Sequence, residues 1–133
     1  MEKIYIVKVQ YDYHNNFYCN LWYNEMGQLH REDGPAAEYA NGDKEWHLNG
    51  KYHREDGPAI EYANGAKKWW LNGKRHREDG PAIEWADGSK EWYLNGVRFL
   101  SKDFEKEIAK RQKPSCNGKI VEIDGKKYKL TLV

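Results

Sequence analysis

Cysteine is nearly absent from this chain. Cys19 and Cys116 are the only two, far apart and without the spacing of a metal knuckle or a disulfide framework, so both are expected as ordinary thiols in a reducing cytoplasm. A charge of one sign is missing too: 22 basic residues stand against 21 acidic ones, a balance that speaks against a generic polyanion-binding surface and against nucleic acid as the direct ligand. Only the C-terminal third leans basic, through Lys102, Lys106, Lys110, Arg111, Lys113, Lys119, Lys126, Lys127 and Lys129, which reads as solvated surface. No apolar run approaches the length of a membrane span, and the start Met1-Glu2-Lys3-Ile4-Tyr5 does not read as a signal peptide, so no membrane partner is expected. The mean hydropathy of −1.06 alone would suggest disorder. Six Trp and ten Tyr contradict it and point to a folded chain with a thin, aromatic core.

What the sequence does have is a block that occurs three times. His30-Arg31-Glu32-Asp33-Gly34-Pro35-Ala36 returns from His53 to Ala59 and from His76 to Ala82, with starts 23 residues apart. The intervening stretches agree as well, with Trp46, Trp69 and Trp92 each ahead of a Leu-Asn-Gly. A fixed period of this length means stacked supersecondary units. The expected fold is therefore mainly β, a solenoid or meander of short antiparallel β-hairpins with one C-terminal helix and a terminal hairpin. Residues 1–23 form an N-terminal hairpin cap, 24–99 the repeats, and 100–133 a helix-plus-hairpin cap, all within one structural domain.

In the first cap, a strand over residues 3–13 (Ile4, Ile6, Val9) and a second from Phe17 to Tyr23 flank an Asn15-Asn16 turn. Tyr23 stands 23 residues before Trp46 and Gly27 the same distance before Gly50, so the first unit is degenerate, as a terminal cap usually is. Each full unit carries two Asn/Asp-Gly signals: Asn41-Gly42 and Asn49-Gly50, Asn64-Gly65 and Asn72-Gly73, Asp87-Gly88 and Asn95-Gly96. Taking Asn41 and Gly42 as the two central residues of a tight turn pairs Tyr39 with Lys44, Ala37 with Trp46 and Ala36 with His47. That register puts Tyr39, Tyr62, Trp85, Ala37, Ile60, Ile83, the Trp46 series and Leu48, Leu71 and Leu94 on a core face. Glu38, Glu61, Glu84, Glu45, Lys68, Glu91, His47, Trp70 and Tyr93 fall on a largely solvated one. A slip of one residue would exchange the faces.

After the last repeat, Val97-Arg98-Phe99-Leu100 replaces the His block. Ser101 suits a helix N-cap, Asp103, Glu105 and Glu107 precede Lys110, Arg111 and Lys113 in the order the helix dipole favours, and Pro114 stops the helix. Phe104 and Ile108 form its apolar stripe, and the helix is expected to plug the open end of the sheet. Lys119–Ile123, Asp124-Gly125 and Lys126–Leu132 read as a last hairpin, with Val121, Ile123, Tyr128, Leu130 and Leu132 apolar.

The stretch Asn72-Gly73-Lys74-Arg75-His76, followed by Trp85-Ala86-Asp87-Gly88-Ser89, resembles portions of MORN repeats, which also run at 23 residues. The resemblance covers about residues 22–99. It is nearer the bacterial variant of that repeat, found in YwqK-type antitoxin-like proteins and short bacteriophage proteins. Arg-Glu-Asp-Gly-Pro-Ala after the His, and a shorter arm before Asn-Gly, depart from ordinary MORN repeats and weaken any lipid-binding implication. The resemblance implies a hairpin solenoid used for binding. By analogy it implies an accessory protein that binds and neutralises a bacterial effector, antitoxin-like or anti-defence, in the host cytoplasm if a phage encodes it.

Repetition argues against a chemical site. Equivalent residues in successive two-strand units lie about 9.6 Å apart, too far for His30, His53 and His76 to share a metal whose ligands sit about 2 Å from it. Catalysis needs one asymmetric constellation, whereas these groups recur. Ser101 and Cys116 sit in no nucleophile motif, and the Asn-Gly pairs are not phosphate loops. No catalytic residue, metal or cofactor is expected. His30, His53, His76, Asp33, Asp56, Asp79, Trp46, Trp69 and Trp92 are assigned to holding the repeat, with each Arg pinning its own loop. Binding falls on His47, Trp70 and Tyr93, with Arg75 opposite Trp70 and Arg98 opposite Tyr93. The partner is a bacterial protein of unknown identity, with a stacked nucleotide as the alternative ligand, and open sheet edges could pair with another copy.

Overall fold

The computed structural model describes residues 5–11, 17–112, 120–123 and 125–129. Expectations for Ile4, the Asn15-Asn16 turn, Lys113, Pro114, Cys116, Lys119, Asp124, Leu130 and Leu132 lie outside them. The chain divides into two units, Met1–Ser101 and Lys102–Val133.

The first unit is built of antiparallel hairpins. Strands β1 (Ile6–Tyr11) and β2 (Phe17–Tyr23) pair first. Next come β3 (Ala37–Tyr39), β4 (Lys44–Glu45), β5 (His47–Leu48) and β6 (Lys51–Tyr52). The same four-strand pattern returns as β7 (Ile60–Glu61), β8 (Lys67–Lys68), β9 (Trp70–Leu71) and β10 (Lys74–Arg75). A third set follows in β11 (Ile83–Glu84), β12 (Lys90–Leu94) and β13 (Val97–Phe99), where β12 runs straight through. Nine strands form one sheet in the order β1-β2-β3-β4-β7-β8-β11-β12-β13, and β5-β6 and β9-β10 stand off it as small hairpins.

The two turns of each unit differ although both read Asn-Gly or Asp-Gly. Asn49 and Gly50 have φ of 50° and 79°, and Leu48 pairs with Lys51 around them, so this is the two-residue turn in which both centres need positive φ. At Asn41-Gly42 only the glycine is left-handed, at 98°, and Tyr39 N–H donates to Asp43 O at 2.9 Å around a three-residue loop. The Asn41 side chain closes that loop by accepting from Asp43 N–H at 3.0 Å. The extra loop residue corrects the register expected from sequence: Ala37 pairs with Glu45, not Trp46, and Glu38 with Lys44. On the first strand of each hairpin Ala37, Ile60 and Ile83 keep the buried side expected of them; on the second strand the sides exchange, so Glu45, Lys68 and Glu91, not the Trp46 series, stand opposite them.

One face now carries an alternating ladder across the sheet, Glu38-Lys44-Glu61-Lys67-Glu84-Lys90, in which each residue is opposite a charge of the other sign. The other carries Ala37, Glu45, Ile60, Lys68, Ile83 and Glu91. Ala37, Ile60 and Ile83 are buried there, and Ala36, Ala59 and Ala82 are buried beside them. Ala82, Ile83 and Tyr93 form a packed cluster with Trp69 against it.

In the second unit, α1 (Ser101–Gln112) has Asp103 in its first turn and Lys110 and Arg111 in its last, the order that suits the dipole. Glu107 pairs with Arg111 at 3.3 Å, and Phe104 is buried. Strands β14 (Ile120–Ile123) and β15 (Lys126–Lys129) pair as a hairpin around Gly125 at φ 76°. Among the described residues no helix is long and apolar enough to cross a membrane.

Candidate binding surface

The repeated His-Arg-Glu-Asp-Gly-Pro-Ala block makes one structure three times. Arg54 lays its guanidinium 3.9 Å from the Trp46 ring centroid, Arg77 does so at 3.9 Å on Trp69, and Arg31 at 4.2 Å on Trp22. Behind each guanidinium lies a glycine of the same block: a Cβ built at Gly34, Gly57 or Gly80 would stand 3.0 Å from the arginine Cζ. The arginine is thus sandwiched between a ring and a bare Cα. Its edge is occupied too: Arg54 Nε donates to Asp56 at 2.9 Å, and its terminal nitrogen donates to Pro58 O and Glu61, both at 3.1 Å. Each histidine joins its unit to the following turn, with Nδ1 of His30, His53 and His76 accepting from Asn49, Asn72 and Asn95 N–H at 2.9, 3.0 and 2.9 Å.

These contacts show what the sequence reading missed. Trp22, not Tyr23, is the counterpart of Trp46, since Trp22 N–H donates to Ala36 O as Trp46 N–H does to Ala59 O. The first turn, between Asn24 and Gln28, holds an extra residue, and this shifts the count by one. A spacing of eight residues from Trp22 to His30, against seven from Trp46 to His53, was the available signal. At the other end the series stops: position 100, where the period would place an arginine for Trp92, is an exposed leucine.

The aromatics expected on a solvated face are part of the fold. His47 is 5% exposed and Tyr93 9%. With Tyr52 and Arg75 they form a column: His47 to Tyr52 at 4.3 Å, Tyr52 to Trp70 at 5.3 Å, then Arg75 at 5.3 Å from Trp70 and 5.2 Å from Tyr93. Trp70 pairs with Arg75 and Tyr93 with Arg98 across the second turns. His47 Nε2 lies 3.0 Å from Glu45, and Tyr93 donates to Glu91 at 2.8 Å. Of the five residues, Arg98 alone is exposed, 3.8 Å from Glu91.

One open surface is the flank where successive blocks meet. A groove of about 760 Å³ runs between the first and second blocks, lined by Trp46 and Leu48, by the carboxylates of Glu32, Asp33, Glu55 and Asp56, and by the Arg31, Arg54 and His53 side chains. A second, of about 310 Å³, repeats the pattern with Trp69, Leu71, Glu55, Glu78 and Asp79, again beside Arg54, Arg77 and His76. The side chains of Glu55 and Glu78 are 85% and 62% exposed. Hydrogen bonds from Arg31, Arg54 and Arg77 hold Asp33, Asp56 and Asp79 below the ordinary carboxylate range, so these carboxylates stay negative well into acid. On the opposite face, hydrogen bonds from Trp85 and Tyr93 lower Glu91, and burial raises the Tyr52 phenol. Among the described residues no group of three His, Cys, Asp or Glu is placed to hold a metal ion. Comparison with protein-family models, with curated proteins and with solved structures finds no match in any of the three.

Proposed function

We propose that the chain is a non-catalytic protein-binding module, a MORN-like solenoid of hairpin units whose grooved, carboxylate-bearing flank takes a basic segment of a bacterial protein. The observation that carries this reading is the recurrence of the groove, with aromatic, aliphatic and exposed acidic residues in its lining, in register with the 23-residue period. An elongated partner can lay successive Lys or Arg side chains into successive grooves, about 9.6 Å apart. The polar groups that could suggest catalysis are already engaged, His53 Nδ1 with Asn72 N–H and Arg54 Nε with Asp56, and the same set recurs in the next groove, which supports a binding role. Arg75 already has two ring centroids within 5.3 Å, which disfavours a stacked nucleotide there.

The resemblance to repeats of bacterial antitoxin-like and bacteriophage proteins supports a partner that is an effector, a toxin or a defence component such as a CRISPR nuclease. Proteins that act on nucleic acid carry basic surfaces for phosphate. Occupying such a surface with this acidic flank would neutralise them.

The test is capture of bacterial lysate on the immobilised protein, followed by salt elution. A stoichiometric protein released as the screening length falls from about 10 Å at 0.1 M to about 3 Å at 1 M is the expected result. Retention of no macromolecule, or of one indifferent to salt, would overturn the reading.

A further inference from the structure

The nine-stranded sheet ends in two edges, and they are unlike. The β13 edge is three residues long and bears the exposed Arg98, two of the devices that keep edges from pairing. The β1 edge is six residues, Ile6-Val7-Lys8-Val9-Gln10-Tyr11, with no proline and one charge. That charge is turned back onto its own sheet, with Lys8 Nζ 4.8 Å from the Tyr23 ring centroid. Gln10 accepts from the Cys19 thiol across the β1–β2 pair at 3.4 Å. Ile6, Val7 and Val9 are left 48%, 47% and 45% exposed, Val7 and Val9 on one face and Ile6 on the other. Among the described residues no strand pairs with the outer side of β1.

We infer that β1 pairs antiparallel with β1 of a second copy, joining the two sheets about a two-fold axis at Val9. The occupant follows from the edge itself. A row of unpaired backbone groups flanked by β-branched side chains on both faces is completed by a strand, and the blunted β13 edge cannot supply it head to tail. The register follows from strand length and charge together: within Ile6–Tyr11, centres at Lys8 and Val9 pair the most residues. Centring on Lys8 would set two ammonium groups directly opposite each other, which is unfavourable. Centring on Val9 sets Lys8 against Gln10 of the other copy and Val9 against Val9. One strand pair buries less than a standard protein interface, so the dimer is concentration-dependent.

Sedimentation of the intact protein over a wide concentration range is the first measurement, beside a Val9→Lys variant whose melting is checked against the parent. A second reads the register: in a Cys116→Ser background, Val9→Cys places two thiols across one residue pair, about 4.5–5.5 Å between Cα atoms, within disulfide reach. Val7→Cys places them about 14 Å apart, beyond it. A dimer that grows with concentration, is lost in Val9→Lys, and cross-links under mild oxidant at position 9 but not at 7 is the expected result. A monomer at every concentration with no cross-link at 9 would overturn the inference. So would a dimer that survives Val9→Lys, cross-linking at 7, or open-ended assembly.

Discussion

Replacing Gly57 by alanine separates two arguments that give opposite signs. Gly57 is outside the left-handed region, so its backbone accepts alanine, and restricting the unfolded chain should stabilise the protein by about 0.4–1 kcal/mol. The added Cβ, however, would sit 3.0 Å from Arg54 Cζ and 3.2 Å from Nε, so the guanidinium must give by a few tenths of an ångström against what holds it on its other sides. Trp46 is 3.9 Å behind it, and Asp56, Pro58 O and Glu61 hold its edge. Displacing it forfeits a cation–π contact of about 1 kcal/mol and a part-buried hydrogen bond from a charged donor of about 1.5 kcal/mol. The ion pair to exposed Asp56 adds little. The net is a loss of about 1–2 kcal/mol, seen in thermal or urea unfolding as a fall in Tm of about 4 °C per kcal/mol for a chain of this size. In an Arg54→Ala background the clash is gone and the unfolded-state gain remains, so the same Gly57→Ala change should become neutral or stabilising. If Gly57→Ala stabilises the parent, or destabilises both backgrounds equally, the sandwich is not what the glycine is for.

Other outcomes follow from the same geometry. Asn72 sits at φ 51°, so Asn72→Gly should leave stability nearly unchanged, while Asn72→Val should cost about 1–2 kcal/mol by urea denaturation. Ile83, 1% exposed in the packed cluster, should lose about 2–4 kcal/mol on substitution by alanine, with a matching drop in urea midpoint. For pH, the folded Asp33, Asp56 and Asp79 carboxyls titrate below their unfolded value, so the unfolded chain takes up protons first as pH falls. Their stabilisation is intact above about pH 4 and declines as pH drops through that value toward the lowered folded one. Urea midpoints at neutral pH and near pH 3 should show this, and an Arg54→Gln, Arg77→Gln variant should show a shallower decline.

Much of the fold was legible because the period repeats every constraint three times. Hairpins, the three arginine-pinned loops and the C-terminal helix could be read from Asn-Gly pairs, the His-Arg-Glu-Asp-Gly-Pro-Ala block and a dipole-ordered run of charges. The faces were not, because the dipeptide at Asn41-Gly42 is the same as at Asn49-Gly50 and only the backbone shows that the first loop has three residues. One residue of difference moved His47, Trp70 and Tyr93 from a supposed binding face into a packed column. Gly57 was readable as a turn residue but not as the back wall of an arginine slot, since that depends on a ring eleven residues earlier in the chain. Trp22 escaped because the degenerate first unit carries an extra turn residue.

The most direct test of the binding flank is to compare two charge-altered proteins for capture of the same partner. Glu55→Lys with Glu78→Lys changes exposed groove acids that are not hydrogen-bonded to the arginine sandwich, while Lys51→Glu with Lys74→Glu changes exposed strand residues that line neither groove. With both variants melting like the parent, the groove pair should lose the partner and the lysine pair should keep it. A partner held equally by the groove variant would contradict the assignment of this flank as the binding surface.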